Sequence, residues 1–150
     1  MTDTAVIQTP APTRAEIAAA NPLAQSGARW FWWIAGLSLV NTVLFHSGSD
    51  TNFVIGLGIT AVSDAIFASH KAIGFAIDFL VVGFFFLMGL KGRQGALWAF
   101  IVGGVVYALD ALLYLRFAEW MPVGFHVLAL FFIGRGAMTL RESLAAAAVR

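Results

Sequence analysis

Asp78, Asp110 and His126 stand in stretches that are otherwise almost wholly apolar. Carboxylate and imidazole are the groups with which proteins hold protons, ligate divalent metals and fix small polar ligands. Asn41 and Tyr107 add neutral hydrogen-bonding groups in similar surroundings, and His46 closes another apolar run. Together, Asn41, Asp78, Tyr107, Asp110 and His126 are the candidate residues for binding a proton or a small ligand. On a helix, Tyr107, Asp110 and Tyr114 fall three and four residues apart, so two phenols and a carboxylate share one face, which Gly103 extends.

Imidazole with carboxylate also suits zinc or a related divalent ion, and the candidate ligands are His46, Asp78, Asp110 and His126. An open coordination position there would activate water for hydrolysis. No two histidines have the four-residue spacing of a helix-borne zinc motif, so the metal rests on composition alone. Cysteine is absent, which excludes disulfides, thiolate catalysis and Cys-ligated zinc, haem or iron–sulfur groups. No cofactor is expected, although a divalent metal is compatible with these residues.

The elements that must position these groups are set by the solvent. Of 150 residues, 60% are apolar and 11% are charged, more apolar surface than a soluble fold of this size can hide. The expected fold is all-α, an integral membrane helical bundle in contact with lipid. Four segments approach the roughly 20 apolar residues that a helix needs to cross about 30 Å of hydrocarbon. They are Ala28 to His46, Ala72 to Leu90, Ala96 to Leu115 and Pro122 to Leu140. Small residues such as Gly36, Gly103, Gly104, Gly134 and Gly136 would let these helices approach closely.

A fifth segment, Phe53 to Ala68, is shorter and carries Thr60, Ser63 and Asp64. Lysine and arginine near span ends favour the cytoplasm, and they arbitrate its placement. A spanning fifth segment leaves the basic residues nearly balanced between the two sides. If it stays on the outer side, Arg14, Arg29, Lys91, Arg93, Arg135, Arg141 and Arg150 all face the cytoplasm, against Lys71 and Arg116 outside. The expected topology is thus four transmembrane helices plus a short amphipathic or re-entrant helix on the outer side, with five transmembrane helices as the alternative. Asn52, Gly56, Thr60, Ser63 and Asp64 recur every three or four residues as one polar stripe, fit to face protein or water. This topology places Asn41, His46, Asp78, Asp110 and His126 all in the outer leaflet.

Residues 1–28 lack the basic start and continuous apolar core of a secretory signal and are expected to form a flexible cytoplasmic tail ahead of the transmembrane domain at 29–141, with a second short tail at 142–150. Within the first tail, Thr13 and Glu16 have the spacing of a capping box, and Asn21-Pro22 should end the short helix it starts. Arg135 lies near the cytoplasmic end of the last span and is a candidate for lipid headgroups. Nine basic and eight acidic residues, net charge +1, are scattered rather than clustered, which argues against nucleic acid.

Three functional classes fit. The first is a small protein of a bacterial cytoplasmic membrane, both termini inside, whose outer-leaflet polar site binds or passes a proton, metal ion or small ligand. The second is a structural or accessory subunit, as a homo-oligomer or beside another membrane protein, whose polar residues only fasten helices. The third is a metal-dependent membrane hydrolase. No nucleophile or phosphate-binding motif stands in the sequence, so a non-enzymatic role is the expectation.

Overall fold

A computed structural model describes residues 10–47 and 57–149, apart from the side chains of Phe45, His46 and Asp64. Among the described residues the chain is helical and contains no strand. The helices are α1 (Arg14–Ala19), α2 (Pro22–His46), α3 (Gly58–Ile66), α4 (Lys71–Arg93), α5 (Leu97–Arg116) and α6 (Trp120–Ala148).

Local chemistry sets the boundaries. Thr13 caps α1 by the expected box: its backbone N–H donates to Glu16 Oε2 over 2.7 Å, and Glu16 N–H donates to Thr13 Oγ1 over 3.3 Å. Asn21 then caps α2, its Oδ1 accepting from Ala24 N–H at 2.9 Å, with Pro22 in the first helical turn where no N–H is needed. Between α4 and α5 the chain turns at Gly95, whose φ of 82° suits glycine, and where a Cβ would lie 2.5 Å from the Arg14 carbonyl oxygen.

Four long helices form the bundle. α2 packs chiefly against α4 and α6, and α5 chiefly against α6 and less closely against α4. α3 sits over α4 and α5 at one end, and α1 lies at the other among α2, α6 and α4. The α2–α6 crossing is closest at two glycines: a Cβ on Gly27 would stand 2.8 Å from Gly136 Cα and 2.9 Å from the Phe132 oxygen. Gly103 makes room for the ring of Phe31, which packs with Phe85 and Phe100 at centroid distances of 6.3 Å and 6.1 Å. Phe85 in turn meets Tyr107 edge-on at 5.9 Å.

Large apolar side chains cover the outside, among them Leu80, Phe79 and Phe131. Three helices, α4, α5 and α6, are long and apolar enough to cross a membrane. α2, expected as the first of four spans, is 25 residues long but is not among them, because Gln25, Ser26, Arg29, Ser38, Asn41 and Thr42 dilute its apolar character.

Residues 14–28, inside the expected N-terminal tail, carry α1 and the first turns of α2, with Ala18, Ala24 and Ala28 fully buried. Their alanines gain little from burial by area, but their size lets backbones approach closely. α6 likewise continues to Ala148 through the segment expected as a C-terminal tail. The short fifth segment is helical over Gly58–Ile66, and Thr60 and Ser63 of its polar stripe are buried, so these two positions face protein. Asn52 and Gly56 of the stripe lie outside the described residues.

Candidate functional site

At the α3 end of the bundle, Asp110 projects from α5 and is 5% exposed. Its two oxygens are used unequally. Oδ2 accepts from Gly58 N–H at 2.9 Å and faces His126 Nε2 at 2.9 Å, whereas Oδ1 accepts from Ile59 N–H at 2.8 Å. Gly58 and Ile59 are the first two residues of α3, whose early N–H groups have no partner within the helix. Asp110 therefore caps α3 from another helix, with its carboxylate at the positive end of the α3 dipole. Leu57, at the cap position itself, has no side-chain oxygen to offer.

His126 comes from α6 and is 1% exposed. Its Nδ1 lies 2.8 Å from the carbonyl oxygen of Pro122, one turn earlier. A carbonyl only accepts, so Nδ1 carries a hydrogen. That leaves a single proton between His126 Nε2 and Asp110 Oδ2, held either as imidazolium with carboxylate or as neutral imidazole with carboxylic acid. Tyr107 stacks on the imidazole, 4.1 Å between centroids and 14° between planes, and Tyr114 flanks it at 5.4 Å. The face of Tyr107, Asp110 and Tyr114 expected from sequence spacing is the face that holds His126. Gly58 approaches the same wall, where a Cβ would lie 3.1 Å from the Tyr114 ring.

Asp78 is engaged elsewhere. Fully buried on α4, it accepts from Thr42 Oγ1 of α2 at 2.9 Å. Asn41 is the preceding residue of α2 and is half-buried. The polar groups expected to converge thus divide by helix pair: Asp110 and His126 join α5, α6 and α3, while Asp78 and Thr42 join α2 and α4. His46 ends α2, and its side chain lies outside the described residues. His70 precedes α4, exposed and without a side-chain capping bond. Arg135 is exposed on the outer side of α6.

For the metal reading, no group of three His, Asp or Glu able to hold an ion is present among the described residues. Both ring nitrogens of His126 already face oxygen partners, so a metal there would have to replace one of those bonds. Sequence reasoning missed the backbone of Gly58 and Ile59 as the partners of Asp110, because an amide donor leaves no mark in residue type. The signal available was the lack of a Ser, Thr, Asp or Asn cap at the start of α3. The chain matches no protein-family model, no curated protein and no solved structure.

Proposed function

We propose that this chain is a four-span membrane protein in which the Asp110–His126 pair binds one proton and uses it to hold α3 in place. α2 serves as the remaining span, both termini face the cytoplasm, and α3 is a short helix dipping in from the outer side. The distribution of charge supports this orientation. Arg14, Arg93 and Arg141 lie at the α1 end, against Lys71 and Arg116 at the α3 end.

The observation that carries the reading is the 2.9 Å contact between His126 Nε2 and Asp110 Oδ2, two buried groups whose other hydrogen bonds are already made and between which one proton fits. With that proton present, Asp110 as carboxylate receives three N–H donors, from Gly58, Ile59 and His126. Removing it leaves a lone pair on Nε2 facing a lone pair on Oδ2 at 2.9 Å. Adding a second leaves imidazolium beside a neutral carboxylic acid, which removes the charge that holds the Gly58, Ile59 and His126 donors. Either change weakens the cap that Asp110 places on the α3 amides. Proton gain and proton loss both therefore loosen α3.

Because the chain has no cysteine, single cysteines read out both parts of the proposal. Ser47 and Ser69 are exposed at the α3 end, Ala20 and Gln94 at the other. In membrane vesicles, Ser47→Cys and Ser69→Cys should be labelled from outside and Ala20→Cys and Gln94→Cys from inside. Opposite-side labelling of positions 47 and 69 would mean that α3 spans. Ser63 is buried on α3 and its hydroxyl has no hydrogen-bond partner among the described residues, so Ser63→Cys perturbs little. Its labelling rate relative to Ser69→Cys should pass through a minimum as pH is scanned and lose that minimum in Asp110→Asn. A ratio that stays flat with pH refutes the proton-linked reading.

A further inference from the structure

Below α3, the looser contact between α4 and α5 leaves a groove of about 580 Å³, within the size range of small-molecule sites. Its walls are hydrocarbon, including Leu80 and Phe84 from α4, Leu109 and Leu113 from α5, and Ile59 from α3. Leu80 is 75% exposed and Leu109 58% exposed, so the groove opens sideways, toward lipid in the proposed topology. Among the described residues, Asp110 is the one ionisable residue that lines it.

We infer that this groove binds an uncharged long-chain alcohol, its chain against the α4 and α5 walls and its hydroxyl donating to Asp110 Oδ1. The head is specified by what Asp110 already holds. Oδ1 accepts one hydrogen bond, from Ile59, and a carboxylate oxygen accommodates two. The negative charge is already met by His126 and by the N-terminus of α3, so a cationic head would bring an unbalanced charge out of water. A carboxylate head would be repelled by Asp110. A neutral donor remains, and a hydroxyl is the smallest. The walls admit only a hydrocarbon body. This inference rests on the ionised Asp110 of the proposed proton site, but it does not need α3 to move.

The test uses the full chain in phospholipid nanodiscs with a diazirine-bearing long-chain alcohol, photolysed and mapped by mass spectrometry. Two matched probes are compared, the methyl ether, which cannot donate, and the fatty acid. The alcohol should label the peptides around Leu80, Phe84 and Leu109 and be displaced by unlabelled alcohol. Its labelling should exceed that of either matched probe about tenfold or more, as expected for one hydrogen bond to a charged acceptor. Leu109→Trp fills the groove from an exposed position and keeps the Asp110 side chain, and should abolish this labelling while leaving the pH minimum of Ser63→Cys intact. Equal labelling by alcohol and ether would overturn the inference, because the groove would then take any chain, as would labelling spread along the whole bundle. Failure here with the Ser63→Cys minimum preserved removes the ligand alone, whereas loss of both removes the ionised Asp110 on which they depend.

Discussion

Replacing Asp110 with asparagine keeps the shape of the side chain and removes both its charge and one acceptor. The carboxylate receives Gly58 N–H and the His126 contact on Oδ2 and Ile59 N–H on Oδ1, so asparagine cannot serve all of them with its single oxygen. If its oxygen takes the place of Oδ2, its NH₂ group faces the Ile59 N–H, donor against donor. In the opposite rotamer NH₂ can donate to neutral His126 Nε2 but faces the Gly58 amide, so one amide is orphaned either way. Either rotamer loses one hydrogen bond to a charged group, about 1.5–3 kcal/mol, and weakens the others by removing the charge. A total cost of about 2–4 kcal/mol follows from that bond together with the orphaned amide. Unfolding of the purified protein in mixed micelles should register this loss. Hydrogen exchange at the Gly58 and Ile59 amides should accelerate by roughly 30- to 1000-fold, at about 1.36 kcal/mol per decade. In a double-mutant cycle with His126→Gln, the two substitutions should be non-additive by about 0.5–3 kcal/mol. Wild-type stability together with unchanged protection of both amides would refute the assignment of Asp110 as the cap of α3.

Two further outcomes follow from local geometry. Gly27→Ala should cost about 1–3 kcal/mol, because its methyl group meets the backbone of Gly136 and Phe132, which cannot rotate away. Gly36→Ala, with nothing within 4 Å of the added carbon, should be neutral or stabilising in the same unfolding assay, and equal losses at the two sites would refute the close crossing. At the other end of the bundle, the backbone N–H and then the hydroxyl of Thr13 hold the Glu16 carboxyl below its ordinary range. A folded value depressed in this way supports α1 above the unfolded value, and the support is lost as pH falls through the folded one. Amide exchange in α1 should therefore speed up on acidification, and Glu16→Gln should flatten that profile.

Much of this arrangement is legible in residue order, for reasons that differ by element. The apolar runs of α4, α5 and α6 declare themselves because a span must be apolar on nearly every side, and Thr13–Glu16 declares α1 because a capping box is local. The face of Tyr107, Asp110 and Tyr114 is legible because it depends only on helical periodicity. What binds to that face is not, since His126 arrives from another helix and Gly58 and Ile59 contribute backbone. Asp78 shows the limit most clearly. Its depth along the chain matches that of Asp110, but depth does not specify rotation about the helix axis, and it is rotation that turns Asp78 toward Thr42. The packing of residues 14–28 escaped for a related reason: Ala18, Ala24 and Ala28 carry little apolar area, and their value lies in how near they let other backbones come.

The junction of Asp110 with α3 answers two problems with one contact. In the proposed topology α3, nine residues long, dips into the bilayer and cannot leave its first N–H groups bare, because an unsatisfied amide in hydrocarbon costs several kcal/mol. A carboxylate at the same depth is equally costly unless donors and a positive end surround it. Each therefore makes the other tolerable. A neutral acceptor such as asparagine or a backbone carbonyl could in principle cap a helix at that depth, and would do so at any pH. On the proposed reading, a carboxylate paired with imidazole instead makes the hold on α3 conditional on one proton. If the pair served only to fasten helices, a variant that caps α3 without ionising, recovered by selecting stabilised forms of Asp110→Asn, would retain every property of the parent. If the proton is the purpose, such a variant would hold α3 shut across the whole pH scan and lose the minimum in Ser63→Cys labelling. Stability alone cannot separate these roles, whereas the pH dependence of α3 does.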